Sequence, residues 1–380
     1  MKRKIAVVTS SRADYAHLRW LLHDLEANPA ADLQVITLGP HLSPAFGHTG
    51  KSVRTPKQCI IECLLDSDSD VGMAKTIGVA TLGLADALSQ MRPDILVRVA
   101  DRYEMLGPAS AALALRIPIA HVEGGEVTFG AIDDAVRNAL TKMSHLHFAC
   151  TRQAAHRIEA LGEEPWRIKF SGSLSLDFLQ RERLLGRSQV EKNIGFSLKK
   201  DAVLCLYHPV TLLNNTVEEA PEVFAALQAR GGQVIFIYPN ADAGSRELVR
   251  RAEAFAAAHV DSRLLTNLDH LTYTSLLSHV GVLVGNSSSG IIESTALEVP
   301  VVNIGIRQQG REHAANVINV KAGRTIILRA ISQALSEDFR RGIRGLKSPY
   351  GEGKASQIIS KTLLSASLGP KLLFKRAATA

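Results

Sequence analysis

Aromatic side chains are scarce, at 5% of the residues, and the basic residues behind the net charge of +7 are scattered rather than clustered. Nucleic-acid binding needs a basic track with stacking platforms, so no nucleic-acid partner is expected, and the positive balance suits an anionic small substrate. No apolar run approaches the length a bilayer span requires, and no membrane partner is expected. The basic start Met1-Lys2-Arg3 precedes only a short apolar run, soon closed by Arg12 and Asp14, so it reads as a first strand rather than a signal peptide. The four cysteines form no CxxC pair; Cys59 and Cys63 could share a helix face but lack nearby metal-ligand partners. Idle thiols of this kind fit a reducing, cytoplasmic setting. GxGxxG, HExxH, GxSxG and P-loop patterns are missing, which argues against NAD, zinc and acyl-transfer chemistry. No metal and no cofactor is expected.

What is present is alternation. The apolar share of 46% suits a soluble globular protein, and 380 residues are too many for one ordinary core. Short β-branched runs at Ile5–Thr9, Leu33–Leu38, Ile95–Val99, Ile117–Val122, His147–Cys150 and Ile168–Ser171 read as buried strands. Amphipathic stretches such as Tyr15–Glu26, Gly72–Gln90 and Ile132–Lys142 read as the helices between them. A polar, basic passage from Leu179 to Lys200 then interrupts the pattern. It restarts with strands at Ala202–Tyr207, Val234–Tyr238, Arg263–Leu265, Val282–Val284 and Pro300–Ile304, a helix over Gly290–Leu297 and a last helix over Lys354–Leu364. The fold class predicted is α/β, two Rossmann-like doubly wound domains facing a cleft. Their expected limits are 1–178 and 179–365, with a tail over 366–380 and the last helix placed to pack back on the first domain.

Charged and hydroxyl residues gather where the strands end, the edge at which open α/β sheets bind ligands. Asp101, Arg102, Glu104, Glu123, Glu126, Asp133, Asp134 and Arg137 surround the third and fourth runs. Any one of these acids could be a helix cap or a solvated loop residue; so many at one edge, beside His121 and the Gly124-Gly125 turn, make a catalytic candidate. Arg12, in Thr9-Ser10-Ser11-Arg12, stands where a guanidinium could fork onto a phosphate. Gly285-Asn286-Ser287-Ser288-Ser289-Gly290 offers close backbone approach, hydroxyl donors and a helix start, which suits a diphosphate better than capping alone requires. Glu293, one turn on, is placed to accept both hydroxyls of a ribose. His208, His41, Asn240 within Tyr238–Ser245, and Arg307 occupy the same edges. Basic and hydroxyl groups on one side and carboxylates on the other suggest a sugar nucleotide with acid/base work on the sugar.

These pieces, SRADY at Ser11–Tyr15, HLSPAFG at His41–Gly47, DR at Asp101–Arg102, HVEGGEV at His121–Val127, IDDAVRNALTKMSHLHF at Ile132–Phe148, HPVT at His208–Thr211, YPNADAGS at Tyr238–Ser245, GNSSSGIIE at Gly285–Glu293 and RQQGRE at Arg307–Glu312, carry a resemblance. The chain resembles the hydrolysing UDP-N-acetylglucosamine 2-epimerases of sialic-acid biosynthesis and their relatives in legionaminic-acid pathways. The resemblance implies a GT-B arrangement, UDP held mainly by the C-terminal domain, metal-free catalysis and a homo-oligomer, dimer or tetramer. It implies catalytic roles for Asp101, Glu123 and Asp133, with His208 assisting the leaving group or the sugar. Arg102 and His41 match sugar-site residues; Arg12, Ser287, Ser288 and Arg307 match diphosphate contacts, Glu293 the ribose clamp, and Asn240 and Gly290 fall inside matching substrate motifs. Two departures stand out: His17 where relatives often carry Lys, and a loop at Thr128-Phe129-Gly130 one residue longer than usual.

The expected activity is elimination of UDP from a UDP-N-acetylhexosamine, followed by hydration of the glycal. The substrate is UDP-N-acetylglucosamine or its 2,4-diacetamido-trideoxy analogue. The alternatives are a non-hydrolysing 2-epimerase, a GT-B glycosyltransferase and, from another class, a sugar-nucleotide-binding regulator.

Overall fold

Runs with a branched carbon at Cβ favour extended backbone, and where both faces are covered by helices they stay apolar throughout. In the first half they form seven strands, β1 (Arg3–Thr9), β2 (Ala31–Leu38), β3 (Gln58–Ile61), β4 (Ile95–Val99), β5 (Ile119–Val122), β6 (Leu146–Ala149) and β7 (Ile168–Phe170). Six more follow, β8 (Val203–Leu206), β9 (Val234–Ile237), β10 (Ser262–Leu265), β11 (Val282–Gly285), β12 (Val301–Ile304) and β13 (Val317–Val320). The structure is a computed structural model that describes residues 2–376 except 45–47, 54, 66–68, 100, 130–131, 211–212, 214, 239–243 and 267.

The two sheets have orders β3-β2-β1-β4-β5-β6-β7 and β10-β9-β8-β11-β12-β13, with parallel pairing throughout the described strands. Each order runs outward from a central strand in both directions. The reversal lies between β1 and β4 in one sheet and between β8 and β11 in the other, and such a switch point opens a crevice at the strands' C-terminal ends. Both sheets are therefore Rossmann-like, as the alternation predicts.

The chain divides into two compact units: residues 1–126, 132–178 and 350–380, and residues 127–131 and 179–349. The first unit thus reclaims the chain at Tyr350, before the expected limit at 365. Asp177 anchors the return: its carboxylate accepts from the backbone N–H groups of Ala355 (2.8 Å) and Ser356 (2.6 Å), capping the helix Ala355–Ser365. Ile359 and Leu363 of that helix enter the core that holds Leu18, Leu21, Val7 and Val97. In the second unit Val203, Val284, Val302, Leu227 and Ile331 share one core.

Several expectations change. The edge strand β3 and the edge strand β13 are short and half exposed, so neither offers the apolar run that marks a buried strand. Cys59 lies on β3, opposite Ile36, not on a helix face with Cys63. The helix expected over Gly290–Leu297 is instead a 3-10 turn, Ser288–Gly290, and a four-residue helix, Glu293–Ala296. The helix Asp70–Met91 is, by length and composition alone, apolar enough to cross a membrane, contrary to the reading that no run approaches this. Its buried face, Thr76, Ala80, Leu84 and Leu88, packs inside the first unit, and Gly107 of the next helix sits against Ala80.

Candidate active site

In the first unit the acids sit just past β4 and β5. Asp101 is joined to Arg137, whose guanidinium also donates to Asp134 Oδ1 (3.1 Å) and to the backbone oxygen of Glu126 (2.8 Å). Arg137 is 1% exposed, so one buried cation fixes two carboxylates and the loop after β5. Asp133 is the first residue of the helix Asp133–Met143, which carries Arg137. The acids' neighbour Arg102 donates to the buried Glu104 Oε1 at 2.6 Å, so its charge is committed within the unit.

Glu123 has partners of its own. It follows β5 with φ +66°, a left-handed backbone that bulky residues adopt at a cost of about 1–3 kcal/mol. Its N–H bonds Phe148 O (2.8 Å), and Ser173 Oγ donates to its Oε1 at 2.8 Å. The Gly-Gly turn that follows is forced: a Cβ on Gly125, at φ +77°, would lie 2.2 Å from Ala154 O. The strain therefore has a local support that aims Glu123 at the edge.

At the other side of the switch point, β1 ends in Thr9-Ser10-Ser11. Ser11 accepts from the N–H of Asp14 (3.2 Å), and Asp14 accepts from Ser10 N (3.2 Å) and Oγ (2.7 Å), closing the start of the helix Arg12–Glu26. Arg12, its first residue, is exposed. His41 is buried, with Nε2 2.9 Å from Thr9 Oγ1 and Nδ1 2.8 Å from Thr49 Oγ1. Burial, then the Arg102 charge, lowers its pKa to about 4, so it is a neutral strut.

In the second unit the serine turn and His208 meet at the switch point. Asn286 grips the backbone of His208 from both sides, accepting from its N–H (2.7 Å) and donating to its carbonyl (2.9 Å). The carbonyl of Asn286 in turn accepts from Arg307 Nη1 (3.0 Å) and Gln308 Nε2 (2.9 Å), drawing the loop after β12 to the same turn. Close approach is built in at Gly285, where a Cβ would lie 2.0 Å from Leu206 O. Ser287 Oγ meets Ser289 Oγ at 3.1 Å, and Ser289 meets the Tyr273 hydroxyl at 2.6 Å. Burial first, and Arg307 next, hold His208 well below the usual histidine range, so it is neutral at physiological pH. Glu293 is buried one turn further on. With the helix this short, an axial dipole adds little at the turn, whose polar groups are its backbone N–H groups, its hydroxyls and Arg307.

Ser287, Ser288, Gly290, Glu293, Arg307 and His208 thus gather in one unit, and Asp101, Glu123, Asp133, Arg102, Arg12 and His41 in the other. Asn240 lies outside the described residues. Sequence reasoning missed Arg137 as the hub of the acids, although its spacing from Asp133 and Asp134 puts it on their helix face. It also missed Asn286 as a clamp and Ser173 as a partner of Glu123. The loop Val127–Ala131, counted with the second unit, touches the segment after β12: Arg311 Nη2 is 3.4 Å from Thr128 Oγ1.

Residues 23–364 match the UDP-N-acetylglucosamine 2-epimerase family. The chain is 36% identical over 323 residues to the GDP/UDP-N,N'-diacetylbacillosamine 2-epimerase (hydrolyzing) of Campylobacter jejuni, covering 84% of each chain. It is 33% identical over 379 residues to the UDP-N,N'-diacetylbacillosamine 2-epimerase (hydrolyzing) of Legionella pneumophila, covering 99% of each. In fold it matches the UDP-GlcNAc 2-epimerase of Neisseria meningitidis, solved bound to UDP-GlcNAc, with TM-score 0.81 and 16% identity over 96% of this chain and 100% of that one. A sheet order with its crevice at His208 and the serine turn, and a match over nearly the whole length, have one common reading: the chain belongs to the UDP-N-acetylglucosamine 2-epimerase family.

Proposed function

We propose that the protein is a hydrolysing 2-epimerase of a UDP-N-acetylhexosamine, releasing UDP and the free 2-epimeric sugar. The observation that carries this is the joining of His208, the serine turn and Arg307 through Asn286 at the switch point of the second sheet. Neutral hydroxyl and N–H donors with one guanidinium suit a diphosphate whose charge grows as it leaves. Glu293 would take the ribose hydroxyls, and Arg12 would add a second cation to the diphosphate.

Departure of UDP from C1 acidifies the hydrogen on C2. A carboxylate removes that hydrogen, and the electron pair forms the C1–C2 double bond of a 2-acetamidoglucal. Water then adds its oxygen to C1, its spare proton passing to bulk solvent, while a second acid protonates C2 from the opposite face, inverting it. Asp101 and Glu123 take the two C2 protons; Asp133 orients or protonates, Arg102 and His41 border the sugar, and neutral His208 donates to the leaving oxygen. Glu123, with Ser173 as its partner, and Asp101, bound by Arg137, suit a division into two proton-transfer groups with different surroundings.

Both hydrolysing relatives act, by name, on a diacetylbacillosamine nucleotide. That favours the 2,4-diacetamido-trideoxy sugar over N-acetylglucosamine as this chain's substrate. Such chemistry belongs in the cytoplasm, in keeping with four free cysteines, and a dimer or tetramer is the expected assembly. Incubation with each UDP-sugar in heavy water tests the proposal. Free UDP and one deuterium at C2 of the released sugar are expected, faster with the diacetamido substrate. Epimerised UDP-sugar without free UDP, or binding without either product, would overturn it.

A further inference from the structure

A two-group epimerisation leaves one group holding an extra proton and the other short of one after every turnover, so each must exchange with solvent. Glu123 is poorly placed to do this alone, being 8% exposed. A line of hydroxyls leads away from it. Ser173 Oγ lies 2.8 Å from Glu123 Oε1, Ser173 Oγ lies 3.4 Å from Ser175 Oγ, and Ser175 Oγ lies 3.2 Å from His17 Nε2. Both serines are essentially inaccessible, at 0% and 1%, whereas the His17 side chain is 25% exposed. The direct gap from His17 Nδ1 to Glu123 Oε2 is 3.9 Å, too long for a hydrogen bond.

We propose that Ser173, Ser175 and His17 form a proton relay that connects Glu123 with solvent, resting on the reading that Glu123 exchanges a proton with C2. Protonated Glu123 donates to Ser173 Oγ, the Ser173 proton passes to Ser175 Oγ, and the Ser175 proton passes to His17 Nε2. Glu123 is left a carboxylate, both hydroxyls are regenerated, and the imidazolium gives its proton to water or buffer. The reverse sequence reloads Glu123. An imidazole suits the task because one ring nitrogen can take a proton while the other gives one up, and the backbone holds the line in place. Ser173 N–H bonds Tyr350 O at 2.8 Å, and Ser175 N–H lies 3.3 Å from Ser173 Oγ.

Charged groups on the neighbouring elements are engaged elsewhere or exposed. On its own helix Asp14 is tied to Ser10, and Tyr15 turns its ring edge toward His41. On the helix Leu174–Arg181 the buried Asp177 is spent on Ala355 and Ser356. Lys361, on the C-terminal helix packed against the His17 helix, is exposed.

The test is steady-state UDP release and C2 deuteration by the full-length protein, His17→Ala, His17→Gln and Ser175→Ala, across pH and at low and high imidazole. Matched melting curves establish that the variants fold. Loss of the shuttle is expected to lower turnover about tenfold in dilute buffer, with KM little changed. Imidazole should restore His17→Ala but not Ser175→Ala, in which the line is broken upstream. Turnover by His17→Ala and His17→Gln within about twofold of the parent, or a deficit indifferent to imidazole, would overturn the relay while leaving the epimerase reading intact. No UDP release and no deuteration by the unaltered protein would overturn the epimerase reading, and the relay with it.

Discussion

Asn286 and His208 lie on different strand ends, yet the amide of one holds both backbone groups of the other, at 2.7 and 2.9 Å. The contact crosses the one place in the second sheet where strand order reverses, between β8 and β11. It sets where the His208 ring stands relative to the serine turn, and through the Asn286 carbonyl it sets Arg307 as well. A single buried residue, through its side-chain amide and its backbone carbonyl, therefore joins three loops that are distant in sequence.

Asn286→Ala would take the Asn286 side-chain partner from both the buried N–H and the buried C=O of His208, each loss costing about 1–3 kcal/mol. A drop in melting temperature of several degrees is expected, along with weaker UDP binding by calorimetry. Asn286→Asp keeps the acceptor but loses the donor, and should fall between. An unchanged melting curve for the alanine variant would contradict the clamp.

Asp101→Asn and Glu123→Gln each remove a proposed proton-transfer group at nearly constant volume. Each should lower turnover by about 10²- to 10⁴-fold while UDP affinity stays close to that of the parent. Single-turnover UDP release beside a UDP titration separates the two effects. Parallel loss of binding and turnover would show that these acids serve the second unit's ligand instead.

Arg137→Met takes the guanidinium from Asp101 and Asp134 and the donor from the Glu126 carbonyl. Breaking a buried pair from one side typically costs about 3–5 kcal/mol, and less here because both carboxylates keep some contact with water. Arg137→Lys keeps the charge but not the fork, so an intermediate loss is expected. Denaturant midpoints rank the three proteins, and an order other than parent, lysine, methionine would refute the hub.

Acid should destabilise the first unit in two stages. Burial, aided by neighbouring cations, lowers His41 and His145 to about 4, against an ordinary value of 6.5. The unfolded chain then binds more protons, so stability falls as pH drops from about 6.5 to about 4. Burial pushes the Glu163 carboxyl up, but hydrogen bonds from His147, Lys142 and Lys375 outweigh it and bring it to about 2, from 4.5. A depressed carboxyl stabilises above its unfolded value, and that contribution is lost as pH falls from about 4.5 toward 2. Melting temperature measured from pH 7 to pH 3 should decline through both windows. A Glu163→Gln variant should lose stability at pH 7 and flatten the lower one.

Much of the fold is legible because alternation is local. Ile5–Thr9, Ile95–Val99 and Val282–Val284 announce buried parallel strands through branched side chains alone, and two series of them require two sheets. The edge strands escape, since Gln58–Ile61 and Val317–Val320 are half exposed and resemble loops. The helix after Gly290 is misread for a related reason: serines and a glutamate suggest a capped start, but Val299, Pro300 and β12 come too soon for more than four helical residues. The same limit applies to the carboxylates. Their position after strands can be read from the sequence; their partners cannot.

By itself the sequence determined the α/β class, the two series of strands, the family to which the chain belongs, and which residues stand at strand ends. These follow from side-chain type and spacing over a few positions. Only the tertiary structure decided that Asp177 caps a helix beginning at Ala355, that Arg137 holds Asp101, and that hydroxyls join Glu123 to His17. Buried polar groups must find partners wherever the fold brings one within about 3 Å, and that choice is made across hundreds of residues, where no local pattern reaches.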